Sequence, residues 1–331
     1  LLVERSVYED KNFREKLKDA ATSMKVGSVW NPGNVVGPMI TNGNDKLLKA
    51  LELEQGESWL VPPQFLDKNK YVLAPTVKWG VRPGSYSFRT ELFGPMLSVV
   101  CIENLQQGIE LVNSLDYGLT SGLQSLDEEE QRLWKNSIMA GNLYINRGIT
   151  GAIVNRQPFG GMKLSAFGGG VKAGGPNYCA CFVKISDKPG STTDYKQSYP
   201  KAYEQEFAHA RDINNLYGEQ NVFRYLPLRN MVLRLFPGDT NEDAQMIAFA
   251  AKICHTPLTI SFEPGDDRTT ALASLGCSLK KESLQEFLKS MSEYERIRTC
   301  GVDIPMEMYE EAARTDKYIA TAKPVKNGRV E

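Results

Sequence analysis

The segment best suited to chemistry is the glycine-rich loop of residues 148–170, GITGAIVNRQPFGGMKLSAFGGG. Gly151 and Ala152 carry no bulky side chains, so their backbone N–H groups could point at an anion. Phe159, which follows Pro158, could form one wall of a small pocket. The same composition is also typical of an ordinary glycine-rich surface turn, and the residues alone leave both interpretations open.

A second candidate is the segment TELFGP at residues 90–95, just before an apolar run. The Glu91 carboxylate could accept hydrogen bonds from a ribose diol, and Phe93 could lie against a planar ring. The alternative is a turn with a solvated glutamate and a core phenylalanine, because charged residues in turns are mostly exposed. A third segment, NSLDYGLT at residues 113–120, has the composition of a helix end and indicates a structural role.

The composition limits the classes of function. The chain has 331 residues, of which 41% are hydrophobic and 24% are charged, with a formal charge of −1. This balance argues against nucleic acid as a partner, which would require a clustered excess of Lys and Arg. No apolar run reaches the ~18–20 residues of a transmembrane segment. The chain begins Leu1-Leu2-Val3 without a signal-peptide pattern, so we expect a fragment whose natural N-terminus lies elsewhere.

The cysteines predict no metal site. None of them forms a CxxC pair, and only His209 and His255 could add imidazole ligands. We expect reduced, mostly buried thiols in a cytoplasmic protein. We expect no catalytic cysteine, because none lies in a turn with an obvious base or oxyanion donor. The six residues are Cys101, Cys179, Cys181, Cys254, Cys277 and Cys300.

Strands alternate with helices along the chain, which predicts an α/β fold with a parallel sheet. Asn44 and Thr240 are predicted helix N-caps. The predicted strands are residues 1–4, 71–73, 97–102, 121–124, 141–145, 178–185, 231–236, 257–262, 296–299 and 318–322. The predicted helices are residues 6–24, 44–53, 105–114, 127–139, 241–254, 283–292 and 306–314.

The composition of the chain changes after residue 185, where a polar segment rich in turn-forming residues begins. We therefore expect a first domain at 1–185, a linker at 186–216 and a second α/β domain at 217–331 that is itself truncated. The strand at 231–236 is followed by Pro237-Gly238-Asp239 and not by GxGxxG, so a phosphate cradle is not expected there. The strand at 178–185 has no partner in the chain, which favours a homo-oligomer.

Four motifs together resemble the C-terminal half of the NAD(P)-dependent aldehyde dehydrogenase superfamily. They are ELFGP, N-x₃-YGLTSGL, AGNLYIN and QPFGG, and the resemblance covers residues 1–185. Within the superfamily, TGAIV, RQPFGG and KAGGPNY resemble the 1-pyrroline-5-carboxylate (L-glutamate γ-semialdehyde) dehydrogenases. They are most similar to the dehydrogenase half of the bifunctional proline utilization A flavoenzymes.

The resemblance implies the fold, the substrate and the cofactor. It implies the catalytic-lobe half of an aldehyde dehydrogenase fold, followed by a Rossmann-like α/β domain. Gly151 and Ala152 would bind the α-carboxylate of L-glutamate γ-semialdehyde through backbone N–H groups, with Phe159 beside its aliphatic part. Glu91 would hold the nicotinamide ribose of NAD, with Phe93 alongside. FAD is implied only if a proline dehydrogenase domain precedes this chain.

The chemistry that the resemblance implies is thiolate attack on the aldehyde, hydride transfer to NAD⁺ and hydrolysis of the thioester. The family's nucleophilic cysteine and general-base glutamate lie upstream of Leu1, so we expect no catalytic residue and no dehydrogenase activity in these 331 residues alone. One departure is Leu164-Ser165-Ala166-Phe167, where relatives have a small Ser-Gly-Thr-like run. We expect Phe167 to reshape the floor of the pocket.

Residues 218–225 and 322–325 are similar to parts of the non-catalytic C-terminal domain of longer proline utilization A proteins. The resemblance implies a domain that covers the catalytic site and closes a channel. Two alternatives stay open: a non-catalytic assembly or channel-covering module, and an aldehyde dehydrogenase for another acidic substrate. The sequence also leaves open the choice between NAD and NADP and the presence of a proline dehydrogenase domain.

Overall fold

The computed structural model describes residues 1–150, 156–301 and 303–329. Contacts within the chain define two compact units. The first comprises Leu1–Asp116, Gly122–Met139 and Ile145–Arg147, and the second comprises Tyr117–Ser121, Ala140–Tyr144 and Gly148–Glu331. The loop that begins at Gly148 is therefore grouped with the C-terminal part of the chain.

Short strands and helices alternate along both units. The strands are β1 (Leu2–Glu4), β2 (Ser58–Val61), β3 (Thr76–Trp79), β4 (Met96–Ile102), β5 (Tyr117–Gly118), β6 (Thr120–Leu123), β7 (Asn142–Ile145), β8 (Met162–Lys163), β9 (Arg211–Asp212), β10 (Val222–Phe223), β11 (Met231–Arg234), β12 (Leu258–Phe262), β13 (Ser278–Lys281), β14 (Arg296–Arg298) and β15 (Ile319–Ala320). The α-helices are α1 (Arg5–Tyr8), α2 (Lys11–Thr22), α3 (Asp45–Ala50), α4 (Tyr86–Arg89), α5 (Leu105–Asn113), α6 (Glu128–Ser137), α7 (Tyr195–Ala202), α8 (Asn241–Ile253), α9 (Thr269–Ala273), α10 (Leu284–Ser290) and α11 (Met306–Arg314).

The first unit contains a four-stranded sheet in the order β1-β4-β3-β2. β4 pairs in parallel with both β1 and β3, whereas β2 pairs antiparallel to β3. Val3, Val77, Trp79 and Val99 form the core of this sheet, where Phe13 and Leu17 of α2 pack. Successive turns of α2 place these two side chains on one face, as their spacing of four residues requires.

The second unit contains a five-stranded parallel sheet in the order β13-β12-β11-β14-β15. The chain order reverses beside β11, which is the arrangement of a doubly wound Rossmann-like fold. Successive residues of β11 face opposite sides of the sheet: Val232 packs with Phe287 and Met308, and Leu233 packs with Ile247. Hydrophobic cores therefore cover both faces, as a parallel sheet requires.

The α/β fold class is confirmed, and so are two predicted helix starts. The Asn44 side chain accepts a hydrogen bond from the backbone N–H of Leu47 at 2.8 Å. Thr240 and Asp243 form a reciprocal capping box at the start of α8. These caps were predictable because the signal is local: a short polar side chain that precedes an apolar helical pattern.

Three predictions of local structure were wrong. Leu73 forms only an isolated bridge with Phe65, and the regular strand β3 begins three residues later. The sheet of the first unit is mixed and not wholly parallel, because β2 joins it antiparallel. In place of the predicted strand at 178–185, Tyr178–Phe182 forms a 3₁₀-helix whose backbone N–H groups bond locally, and no strand of the described residues pairs with it.

Among the described residues, no helix is long and apolar enough to cross a membrane. The same residues contain no cluster of His, Cys, Asp and Glu side chains that could hold a metal ion.

Candidate functional site

The turn from Glu91 to Gly94 alternates between buried and exposed residues. Leu92 is buried with Leu47 and Leu73, and its carbonyl accepts a hydrogen bond from the Asn44 side-chain amide at 3.0 Å. Gly94 passes so close to α3 that a Cβ there would lie 2.6 Å from a methyl group of Leu47. Glu91 is left exposed by this packing, so its carboxylate is available to a ligand.

Phe93 has an uncommon backbone conformation and an uncommon environment. Its φ is 49°, in the left-handed region that disfavours bulky residues by roughly 1–2 kcal/mol. Its side chain is 75% exposed, so burial within this unit does not offset that cost. An aromatic ring held outward in a strained conformation is typical of a binding surface.

Phe93 also borders a pocket of about 350 Å³ in the first unit. Thr90, Leu92 and Gly94 line the same pocket, together with Leu1 and the start of β4. Most of the lining side chains are apolar, which suits a flat ring better than a charged group.

The glycine-rich loop is fastened to its neighbours in the second unit at Phe159. Phe159 and Ala173 form an antiparallel bridge, in which Phe159 N–H donates to the Ala173 carbonyl at 3.0 Å and Ala173 N–H donates back at 2.9 Å. The half-buried Phe159 is therefore held by two backbone hydrogen bonds.

Asn142, the first residue of β7, provides a second attachment. Its side-chain amide donates to the Pro158 carbonyl at 3.0 Å, and its side-chain oxygen accepts from the Gly160 N–H at 3.1 Å. Asn142 is only 7% exposed, so water cannot readily replace these bonds. One amide side chain thus fixes the loop on both sides of Phe159.

Lys172 provides a third attachment from the other side of the bridge. Its ammonium group donates to the carbonyls of Gly141 and Gly160, each at 2.6 Å. The backbones of residues 141 and 160 come this close only because residue 141 is a glycine: a Cβ there would collide with the Gly160 carbonyl oxygen. Burial lowers the pKa of the Lys172 ammonium to about 8.

The beginning of the described part of the loop is held by the hairpin of β9 and β10. The Asn214 side-chain amide donates to the Arg156 carbonyl at 2.6 Å, and the Arg156 guanidinium lies 3.5 Å from the Glu219 carboxylate. Asp212 in turn accepts from the backbone N–H groups of Asn214 and Asn221, which orders the hairpin. Residues beyond the glycine-rich loop therefore also determine its path.

The end of the loop pairs with a short strand. β8 lies antiparallel to β5, and the Ser165 hydroxyl accepts from the Gly118 N–H at 3.1 Å. Phe167 is 99% exposed, and its effect on the floor of the pocket stays a prediction. Its neighbour Gly169 instead accepts a hydrogen bond from Arg296 of β14 at 3.3 Å.

The structure places the predicted residues in two groups. Glu91 and Phe93 belong to the first unit, and Phe159 belongs to the second. Gly151 and Ala152 lie outside the described residues. In the NSLDYGLT segment, the side chain of Asn113 joins the ends of α5 and α6, in agreement with a structural role.

Sequence reasoning missed the roles of Asn142 and Lys172. Both lie in segments that carry the resemblance, AGNLYIN and KAGGPNY. A polar residue at the start of a strand and a lysine among glycines were the available signals. Neither signal shows which backbone groups the side chain will reach.

Four of the six thiols are poorly suited to nucleophilic catalysis. Burial raises the pKa of the Cys300 thiol to about 12, and desolvation also raises the pKa values of Cys101, Cys254 and Cys277. A nucleophilic cysteine needs the opposite shift, because the thiolate is the reactive form.

Comparison with known proteins identifies the family. The model of the aldehyde dehydrogenase family matches residues 1–187. The 1-pyrroline-5-carboxylate dehydrogenase of Bacillus licheniformis is 33% identical over 185 residues, which cover 54% of this chain and 36% of that protein. The enzyme of the same name from Bacillus subtilis is 32% identical over 179 residues, covering 54% and 34% of the two chains.

A solved structure extends the likeness to the rest of the chain. Proline utilization A from Corynebacterium freiburgense is 34% identical, with a TM-score of 0.77 over 96% of this chain and 32% of that one. The chain thus spans about a third of the length of each of these relatives. The match includes the Rossmann-like sheet, which lies beyond the residues that the family model covers. The chain belongs to the aldehyde dehydrogenase family.

Proposed function

We propose that the chain is part of an NAD-dependent dehydrogenase that oxidises L-glutamate γ-semialdehyde to L-glutamate in proline catabolism. The observation that carries this proposal is the three-fold attachment of the loop at Phe159, by Asn142, Lys172 and Ala173. Gly151 and Ala152 come before Phe159 in the same loop, and their N–H groups would bind the substrate's α-carboxylate. The similarity to 1-pyrroline-5-carboxylate dehydrogenases supports the choice of aldehyde.

The ELFGP turn fits a dinucleotide on chemical grounds. An exposed carboxylate at Glu91 suits the two hydroxyls of a ribose, and the outward ring of Phe93 beside an apolar pocket suits a planar heterocycle. NAD⁺, when bound, accepts the hydride of the aldehyde carbon. Glu91 would orient the ribose, and Phe93 would limit the positions open to the ring.

The chain's own contribution is binding and orientation. Phe159 would pack against the methylene groups of the substrate and exclude water from them, while the loop N–H groups would fix its carboxylate. With the carboxylate fixed, the aldehyde carbon is directed away from the loop toward the reacting groups. We propose, from the family resemblance, that the nucleophilic cysteine and general base are not among these 331 residues. The raised pKa values of Cys101, Cys254, Cys277 and Cys300 agree with this proposal.

The test is NADH formation monitored at 340 nm. The protein as expressed in full, with any residues that precede Leu1 or follow Glu331, should reduce NAD⁺ when glutamate γ-semialdehyde is added. The 331-residue chain alone should give no aldehyde-dependent signal. Activity of the chain alone would refute the assignment of the reacting groups, and an inactive full protein would refute the proposed function.

A second function, assembly into a homo-oligomer, is favoured by one exposed apolar segment. Tyr178, Phe182, Val183 and Ile185 are between 40% and 75% exposed within eight residues. Exposed apolar clusters of this kind mark interaction surfaces. We propose that this segment pairs with another copy of the chain. Sedimentation of the full protein with Phe182→Asp and Val183→Asp should show loss of the oligomer, and an unchanged mass would exclude this surface.

A further inference from the structure

Within the described residues, the half-buried ammonium group of Lys172 has no anionic partner, unlike the fully buried Lys78 and Arg234. Lys78 lies 2.9 Å from the carboxylate of Glu57, and the guanidinium of Arg234 pairs with Glu263. In the described part of the chain, the partners of the Lys172 ammonium are the two carbonyl oxygens of Gly141 and Gly160. Its positive charge is therefore hydrogen-bonded but not neutralised.

A cation without a counter-ion carries a free-energy cost wherever water is partly withdrawn, as it is around the half-buried Lys172. Burial alone accounts for the lowered pKa of Lys172, with no contribution from a charged side chain. The backbone carbonyls of Gly141 and Gly160 stabilise the ammonium group only in part. A bound anion nearby would remove the remaining penalty.

We infer that Lys172 is a positioning residue for a carboxylate-bearing aldehyde: its ammonium group fixes the loop at Gly160 and supplies the positive charge that attracts the substrate's carboxylate. This inference rests on the proposed function and adds a residue to it. The geometry supports it because Lys172 binds the carbonyl of Gly160, the residue that directly follows Phe159. The charge that would attract the carboxylate is therefore hydrogen-bonded directly to the loop that would bind it.

The test compares two aldehydes that differ only in the group that Lys172 would attract. 5-Oxopentanoate and pentanal have the same chain length, but the first ends in a carboxylate and the second in a methyl group. In the ratio of their kcat/KM values, the effects of groups that act equally on every aldehyde, such as the nucleophile and the base, cancel. The full protein is assayed with NAD⁺ at pH 7 as wild type, Lys172→Gln and Lys188→Gln.

Gln at position 172 can still donate hydrogen bonds to carbonyls but carries no charge. We expect Lys172→Gln to lower the ratio of kcat/KM for 5-oxopentanoate over pentanal about tenfold, the size of one charge-assisted hydrogen bond. The kcat/KM for pentanal, a substrate without an anion, measures the loss that comes from weaker attachment of the loop alone. The exposed Lys188 is the matched control, and Lys188→Gln should leave the ratio unchanged. An equal loss for both aldehydes in Lys172→Gln would show a merely structural role and overturn the inference.

The wild-type protein provides a second measurement in case Lys172→Gln does not fold. As the pH rises from 7 to 9.5, Lys172 loses its proton, with a pKa of about 8. The preference for 5-oxopentanoate should then fall by up to about tenfold, since the substrate's carboxylate does not titrate in this range. A constant ratio would overturn the inference. Oxidation of neither aldehyde, nor of glutamate γ-semialdehyde, would instead show that the proposed function itself is wrong.

Discussion

Replacing Asn142 by alanine should loosen the loop at Phe159 without altering any residue of the loop itself. The substitution removes two hydrogen bonds, one to the Pro158 carbonyl at 3.0 Å and one from the Gly160 N–H at 3.1 Å. Neutral hydrogen bonds contribute about 1 kcal/mol each, and a buried group left unpaired costs about 1–3 kcal/mol. Asn142 is 7% exposed, so water replaces the lost partners poorly. We therefore expect a local loss of about 2–4 kcal/mol.

Amide hydrogen exchange on the isolated chain measures this loss where it occurs. A decrease of about 2–4 kcal/mol in the free energy of local opening corresponds to exchange of the Gly160 N–H that is roughly 30- to 1000-fold faster. The control is Asn12→Ala, since Asn12 is exposed on α2 in the first unit. It should leave the exchange of Gly160 unchanged. If Asn142→Ala changed this rate less than about threefold, the side chain would not be what fastens the loop.

Three further predictions concern the same unit. In urea unfolding, Gly141→Ala should lower the free energy of unfolding by about 3 kcal/mol or more, because its Cβ would collide with the backbone of the loop. The control Gly148→Ala places its Cβ in open space and should have little effect. Equal losses would contradict the close approach of Gly141 to the loop. Folding lowers the pKa of Lys172 from 10.5 to about 8, so the folded state binds fewer protons than the unfolded state between these pH values. The free energy of unfolding of the wild type, measured relative to that of Lys172→Gln, should therefore rise with pH in that window. A difference that stays flat or falls would contradict the pKa shift. Native-state labelling with a thiol reagent at pH 8 should modify the exposed Cys179 and spare Cys300, which is 1% exposed with a pKa of about 12; rapid labelling of Cys300 would contradict its burial.

Local signals in the sequence predicted the fold well. The apolar run at 97–102 predicted β4 to within a residue, and Asn44 and Thr240 predicted the starts of α3 and α8. Each of these signals depends on neighbours along the chain. The regular alternation of strands and helices also predicted the parallel sheet of the second unit, but neither its edge strand β13 nor its strand order.

Features that depend on distant partners could not be predicted. β3 was missed because Lys78 interrupts its apolar pattern, yet this lysine is fully buried and pairs with Glu57. The pattern at 178–185 suits a strand, but a strand also needs a neighbour, and none of the described residues pairs with it.

The same limit applies to the candidate site. The motifs indicated the turn at Glu91 and the loop at Phe159, but not the side chains that hold the loop. Lys172 reaches the carbonyl of Gly141, 31 residues earlier in the chain. Such a contact depends on how β7 and the loop are arranged in space, which periodicity does not encode.

The most direct test of carboxylate anchoring is the effect of Ala152→Leu in the full protein on KM for two aldehydes. The larger side chain should obstruct the backbone N–H groups that we propose for the carboxylate. KM for glutamate γ-semialdehyde should therefore rise at least about tenfold, while KM for pentanal should change little. An equal rise for both aldehydes, or no rise for glutamate γ-semialdehyde, would contradict the account.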